Sequence, residues 1–181
     1  MTKFGKIPIG GTFIFDFDAT AYCKIDDHSA VRLRDSGTLI KVFPMDTKLR
    51  EIVIDHVLIN GESNTIEEAH RKLWEYLSEH PETPQKESWF YEMSVTLDDG
   101  TPIVPPHMCF ACLQAHIDTH NDTLHCKNCP IRDWSNSQRK GEWCGDFESL
   151  YLKYRDCISN QQKRSKLAHN IANLPWNPIA R

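Results

Sequence analysis

Cys109-Phe-Ala-Cys112-Leu-Gln-Ala-His-Ile-Asp-Thr-His-Asn-Asp-Thr-Leu-His-Cys126-Lys-Asn-Cys129 sets two Cys-x-x-Cys pairs thirteen residues apart. Two residues between thiolates allow a tight turn to aim both sulfurs at one ion, and two such turns complete a four-thiolate tetrahedral shell. The donor set suits structural Zn2+ better than an iron site or a dithiol redox pair, which would want an exposed pair rather than two close ones. Residues 105–131 hold few continuous apolar runs, so a metal here is expected to clamp a stretch that could hardly fold by itself. Replacing Cys112 or Cys129 by Ser is then expected to unfold the C-terminal half.

Working outward, Trp89-Phe-Tyr91-Glu-Met93-Ser-Val95-Thr-Leu97 reads as a strand. Asp98-Asp99-Gly100 reads as the turn of a hairpin that returns through Ile103 and Val104 and delivers the chain to the cysteines. Before a Pro-containing linker at 81–88, Ile66, Ala69, Leu73, Tyr76 and Leu77 share one helical face, which His80-Pro81 ends. Thr65 and Glu68 form a capping-box signature at its start. Beyond the quartet, Phe147, Leu150, Tyr151, Tyr154 and Ile158 mark a second amphipathic helix, entered through Gly145-Asp146. Leu167, Ile171 and Leu174 continue at helical spacing until Pro175-Trp176-Asn-Pro178. Residues 159–166 read as helix or loop, with one continuous helix preferred over two.

The first sixty residues alternate in short β-branched and aromatic runs. Gly11–Phe17, Ala21–Ile25, Ser29–Leu33, Thr38–Phe43 and Arg50–Leu58 read as five strands of a small antiparallel barrel or sheet, closed at Asn60-Gly61. The expected class is therefore α+β. Residues 1–60 form a β module, and residues 61–181 a zinc-stabilised module of helix, hairpin, four-cysteine knuckle and C-terminal helices with a Pro/Trp tail.

A 181-residue chain with 40% apolar residues and five Trp can bury a core. It has no apolar run long enough to span a bilayer and no apolar stretch after Met1, so a cytoplasmic protein without membrane attachment is expected. Seven cysteines are an odd number; with four on metal, Cys23, Cys144 and Cys157 read as reduced thiols of a reducing compartment. The net charge of −4 divides into −7 over residues 1–100, −1 over 101–137 and +4 over 138–181. The overall sign opposes non-specific DNA binding, and a basic C-terminal face on an acidic body suits an acidic neighbour.

Residues 69–157 resemble a family of small phage- and prophage-encoded proteins. The likeness rests on His70-Arg-Lys-Leu-Trp74, Cys109-Phe-Ala-Cys112, Cys126-Lys-Asn-Cys129-Pro130, Trp134, Cys144 and the helix from Tyr151 through Tyr154. Ile7-Pro-Ile-Gly10-Gly-Thr-Phe13, Tyr22-x-Lys24-Ile25 and Ser29-Ala-Val31 resemble a separate short phage module of β character. The resemblance implies a phage accessory protein working in a bacterial host cytoplasm, with no catalytic role. It also brings Cys144 close to the metal site, as a replacement ligand or, by preference, as a buried thiol beside it. Independently of the resemblance, His125 in the loop between the pairs reads as a further candidate neighbour of the metal.

Two enzyme-like motifs lack their context. Asp16-Phe-Asp18-Ala-Thr20 matches an Asp-x-Asp-x-Thr phosphatase signature, but no βαβ alternation follows to form the doubly wound sheet that chemistry needs. Ala115-His116-Ile-Asp-Thr-His120-Asn121 is similar to an HNH nuclease core, yet Pro130 stands after Cys129 where a His or Asn is required. A non-enzymatic interaction protein is expected, with Trp134, Trp143, Tyr151, Tyr154, Arg155, Lys163, Arg164 and Trp176 as candidate contacts to a host or phage protein. Trp176, flanked by prolines, is the one expected to be exposed. Inhibition of a host defence protein is a purpose suggested by the genomic type. The alternative is a nucleic-acid-binding zinc ribbon using Arg132, Arg139, Lys140, Arg155, Lys163, Arg164 and Lys166.

Overall fold

The computed structural model describes residues 1–15, 20–33, 40–52, 54–83, 86–105, 108–118, 129–131, 133–134, 144 and 149–177. Its class is α+β, with two antiparallel sheets and five α-helices among those residues. Strands β1 (Thr2–Lys3), β2 (Thr12–Phe15), β3 (Thr20–Lys24), β4 (Ser29–Arg32), β5 (Ile40–Val42) and β6 (Lys48–Ile52) form the larger sheet. Their order is β1-β6-β2-β3-β4-β5, and among the described residues the sheet does not close into a barrel.

Alternation along β2 and β3 buries both faces of this sheet. Phe13 and Tyr22 join Phe4, Ile7, Ala30, Phe43 and Leu49 in an aromatic core on one side. Ile14, Ala21 and Cys23 point to the other side, into the main core that the helices cover. Within the aromatic core Phe43 meets Phe13 and Tyr22 edge-on, with ring centroids 5.3 and 5.2 Å apart. Buried Lys24 is satisfied there: its Nζ donates to the Ile7 carbonyl at 2.9 Å and lies 4.7 Å from the centre of the Phe4 ring. Gly11 is required by close packing, because a Cβ would stand 2.7 Å from Ile7 Cγ2 and 2.8 Å from the Pro8 carbonyl.

The run read as one strand, Arg50–Leu58, is two. β6 ends at Ile52 and β7 (His56–Ile59) begins a second sheet of order β8-β7-β9, with β8 at Glu62–Thr65 and β9 at Val95–Thr96. Asn60-Gly61 is the two-residue loop between β7 and β8, with Ile59 opposite Glu62 and φ of 51° and 84° at its two residues. Two successive positive φ values are the geometry that Asn-Gly adopts most readily and that matches strand twist. Thr65 ends β8 and caps α1 (Ile66–Glu79) through the expected box: Glu68 N–H donates to Thr65 Oγ1 at 3.2 Å and Thr65 N–H to Glu68 Oε2 at 2.8 Å.

Residues 86–92, expected to be linker and strand, are helix α2 (Lys86–Glu92). Trp89 is buried on the core, Phe90 packs against it, and both rings contact Phe110. Packing on one side rather than alternation decides the backbone here. The hairpin that follows is present in reduced form: Gly100 N–H donates to the Leu97 carbonyl at 2.9 Å, and Thr96 bridges Pro102.

Helix α3 (Phe110–Asp118) stands where little regular structure was expected, with Phe110, Ala111, Leu113 and Ala115 buried. The preferred single C-terminal helix is two: α4 (Leu150–Asp156) and α5 (Gln161–Ala172). Ser149 caps α4 and Asn160 caps α5, the latter accepting from Lys163 N–H at 2.9 Å. Ile158 falls in the break between them and is 69% exposed instead of continuing the apolar face. α1 is central: α2, α3 and α5 all pack on it. Arg71 donates to the Ala172 carbonyl and Ser165 Oγ to the Ser78 carbonyl, both at 2.6 Å, which lock α5 to α1.

Candidate metal centre

The first cysteine pair is held by a strained entry and a helix start. Met108 has φ of 48°, the left-handed region in which a residue with a Cβ is uncommon, so the surrounding structure fixes the direction in which Cys109 leaves. The Leu113 N–H then donates to the Cys109 carbonyl at 3.0 Å, placing Cys109 at the entry to α3 and Cys112 in its first turn. Cys109 is 6% exposed and Cys112 half-buried against the main core.

Cys129, of the second pair, is buried, and the chain beyond it is pinned from both sides. Asn177 N–H donates to the Pro130 carbonyl at 2.8 Å, and Leu150 N–H to the Trp134 carbonyl at 2.7 Å. Cys126, the fourth predicted ligand, and His125 lie outside the described residues. Cys144 is tethered by its backbone: Ser149 Oγ donates to the Cys144 carbonyl at 2.7 Å while accepting from Leu152 N–H, so the cap of α4 also sets the position of this thiol.

Four of these sulfurs share one electrostatic neighbourhood. The Cys112 thiol is held well above the usual range, first by its hydrogen bond to Cys109, then by burial and by the nearby Cys109, Cys144 and Cys129 sulfurs. Cys109 is held well below that range, chiefly because Cys112 donates to it and further because His70 and Lys86 favour its anion. The two thiols shift in opposite directions, as a pair sharing one proton does. Among the described residues no three Cys, His, Asp or Glu side chains converge closely enough to enclose an ion.

The other two thiols stand apart. Cys23 is fully buried, its Sγ–H donates to the Gly10 carbonyl at 3.5 Å, and burial pushes it up to about 12. Cys157 closes α4 and donates to the Asn160 carbonyl at 3.8 Å.

The predicted contact residues divide by burial. Trp134 and Tyr154 are core side chains, and Tyr151 and Trp176 are half-buried. Trp176, expected to be exposed, lies with its ring centre 5.2 Å from that of His70, because the tail folds back along Pro130. Arg164 is 2% exposed, with its guanidinium 4.6 Å from the centre of the Tyr154 ring and Nη1 donating to the Pro81 carbonyl at 3.1 Å. It joins α5 to the end of α1 instead of facing a partner. Arg155, Lys163 and Lys166 are exposed. Trp143, Arg132, Arg139, Lys140, Asp16, Asp18 and His120 lie outside the described residues. His116 belongs to α3.

An open groove of about 570 Å³ runs along α5 and the end of α1, lined by Ser78, Asn160, Gln162, Lys163, Ser165, Lys166 and His169. Sequence reading named its two lysines but not the groove, which exists only once α5 packs on α1. His70 was also missed as a member of the cysteine neighbourhood, since a polar residue on an apolar helical face carries no periodic signal of its own. No family model, curated protein or solved structure matches the chain. No helix among the described residues is long and apolar enough to cross a membrane.

Proposed function

We propose that the chain is a phage accessory protein acting as a zinc-stabilised protein-interaction module. Cys109, Cys112, Cys126 and Cys129 hold a structural Zn2+, and the basic groove on α5 receives an acidic surface of a host or phage protein. One observation carries the reading: none of the four described aromatic candidates is exposed, while Lys163, Lys166 and His169 gather around one open groove. The aromatics therefore build the scaffold, and the C-terminal positive charge is its presented surface. Soft thiolate donors, half-buried or buried, suit Zn2+, which would tie the start of α3 to the segment at 129–134.

The test is capture from host cells with the native chain and with a Lys163→Glu/Lys166→Glu double variant. The expected result is a defined protein retained by the native chain at moderate salt and lost by the variant. Retention of nucleic acid instead, with affinity falling steeply as salt rises, would favour the zinc-ribbon alternative.

A further inference from the structure

The segment after α5 runs over His70 of α1 to the chain beside Cys129. Its start is firmly anchored: Arg71 of α1 donates to the Ala172 carbonyl at 2.6 Å, Asn173 Nδ2 donates to the His169 carbonyl at 2.8 Å, and Leu174 is 3% exposed. Beyond Leu174 the side chains sink less deeply, with Trp176 half-buried and Pro175 and Asn177 exposed. Two contacts hold this part down. The Trp176 ring centre lies 5.2 Å from that of His70, and Asn177 N–H donates at 2.8 Å to the carbonyl of Pro130, the residue directly after Cys129.

Opposing effects set the balance of this closure. Pro175 has a fixed φ, and a proline after Leu174 and another after Asn177 restrict those two residues, so little backbone freedom is lost when the segment docks. Against docking stands His70, 1% exposed, with neither ring nitrogen in a hydrogen bond. A buried polar group without a partner is penalised, and lifting Trp176 admits water to the imidazole, which lowers the cost of opening. Segments with few buried apolar contacts open at free energies well below that of global unfolding. We propose that residues 175–177 are a strap that opens by itself, pivoting after Leu174, and that its closure over His70 and Pro130 limits access to the Cys129 thiol. The closure stands on ring and backbone contacts, and it holds whether or not the cysteines carry Zn2+.

The experiment labels the full chain, as purified under reducing conditions, with iodoacetamide and follows each cysteine by peptide mass spectrometry. Trp176→Ala removes the ring that covers His70. Asn177→Pro removes the N–H that bonds Pro130, at a side chain that is already exposed. Cys23, fully buried in the main core, reports opening of the whole chain in the same samples. The expected result is Cys129 labelling roughly tenfold faster in each variant, equivalent to about 1.4 kcal/mol of lost closure, with Cys23 labelling at its native rate. Cys129 labelling at the native rate in either variant overturns the proposal. Acceleration of Cys129 and Cys23 together also overturns it, because the segment would then be part of the core instead of a strap upon it. Zinc content measured on the same samples judges the metal reading separately.

Discussion

At the scale of single residues, the clearest local device is the box at Thr65. Both reciprocal hydrogen bonds are present, and Glu67 and Glu68 place negative charge in the first turn of α1. Thr65→Ala should therefore lower stability by about 1 kcal/mol, measurable as a drop in the urea midpoint at unchanged slope.

His56 makes a second residue-scale prediction. Its Nε2 meets Asp98 at 2.9 Å and its Nδ1 meets Asp55 at 2.6 Å, so one imidazole joins β7 to the 97–101 turn. Those bonds, to Asp98 first and Asp55 second, raise the value for His56, while the His56 hydrogen bond lowers that of Asp55. A raised imidazole contributes stability that is complete below the unfolded value of about 6.5 and is lost as pH rises through the folded one. A depressed carboxylate loses its contribution as pH falls through its folded value. The clamp should be strongest between those limits, and His56→Gln should flatten the decline in urea midpoint that the native chain shows from mildly acidic to mildly alkaline pH.

Elements decide where sequence reading succeeded and where it did not. Strands β2 and β3 of the larger sheet were legible because Phe13/Ile14 and Tyr22/Cys23 alternate between two buried faces, whereas β1 carried no such signal; the start of α1 was legible from its cap. The aromatic run at Trp89-Phe-Tyr91 has β propensity, but Trp89 and Phe90 both pack towards Phe110, and that tertiary contact selects a helix. The split between α4 and α5 was hidden because Asn160 caps as well as it continues; only the Lys163 N–H bond shows which role it takes. In the candidate site, spacing exposed the cysteine pairs, whereas the packing of His70 against Trp134 and Trp176 depends on contacts between distant segments.

The joint between α1 and α5 gives the element-scale prediction. Leu73 is fully buried at the centre of α1, and Leu73→Ala should cost about 2–5 kcal/mol through lost burial and the cavity left behind. Arg164→Met should cost less than Arg164→Ala in the same assay, because the side chain packs over Tyr154 as well as bonding Pro81.

Across the whole molecule, the main core runs from Ile14 in β2 and Leu33 just after β4 through α1 to Ile171 and Leu174. That continuity narrows what loss of the proposed Zn2+ would do. The larger sheet has an aromatic core of its own, whereas the second sheet, α1, α3, α5 and residues 129–134 share the main core, in which α3 and 129–134 carry the cysteines. Cys112→Ser should accordingly abolish hydrogen-exchange protection in α3 first and leave most of that in α1 and α5, a milder outcome than collapse of the C-terminal half. The groove is lined by α5 and by Ser78 of α1, away from Cys109, Cys112, Cys126 and Cys129 in sequence, so on the proposed reading removal of Zn2+ should weaken partner capture less than Lys163→Glu/Lys166→Glu does.

Metal content of the native, carefully purified chain tests the central claim most directly. Elemental analysis should find close to one zinc per chain, released by a strong chelator together with loss of protection in α3; a ratio near zero, with α3 equally protected in chelator, would contradict the account.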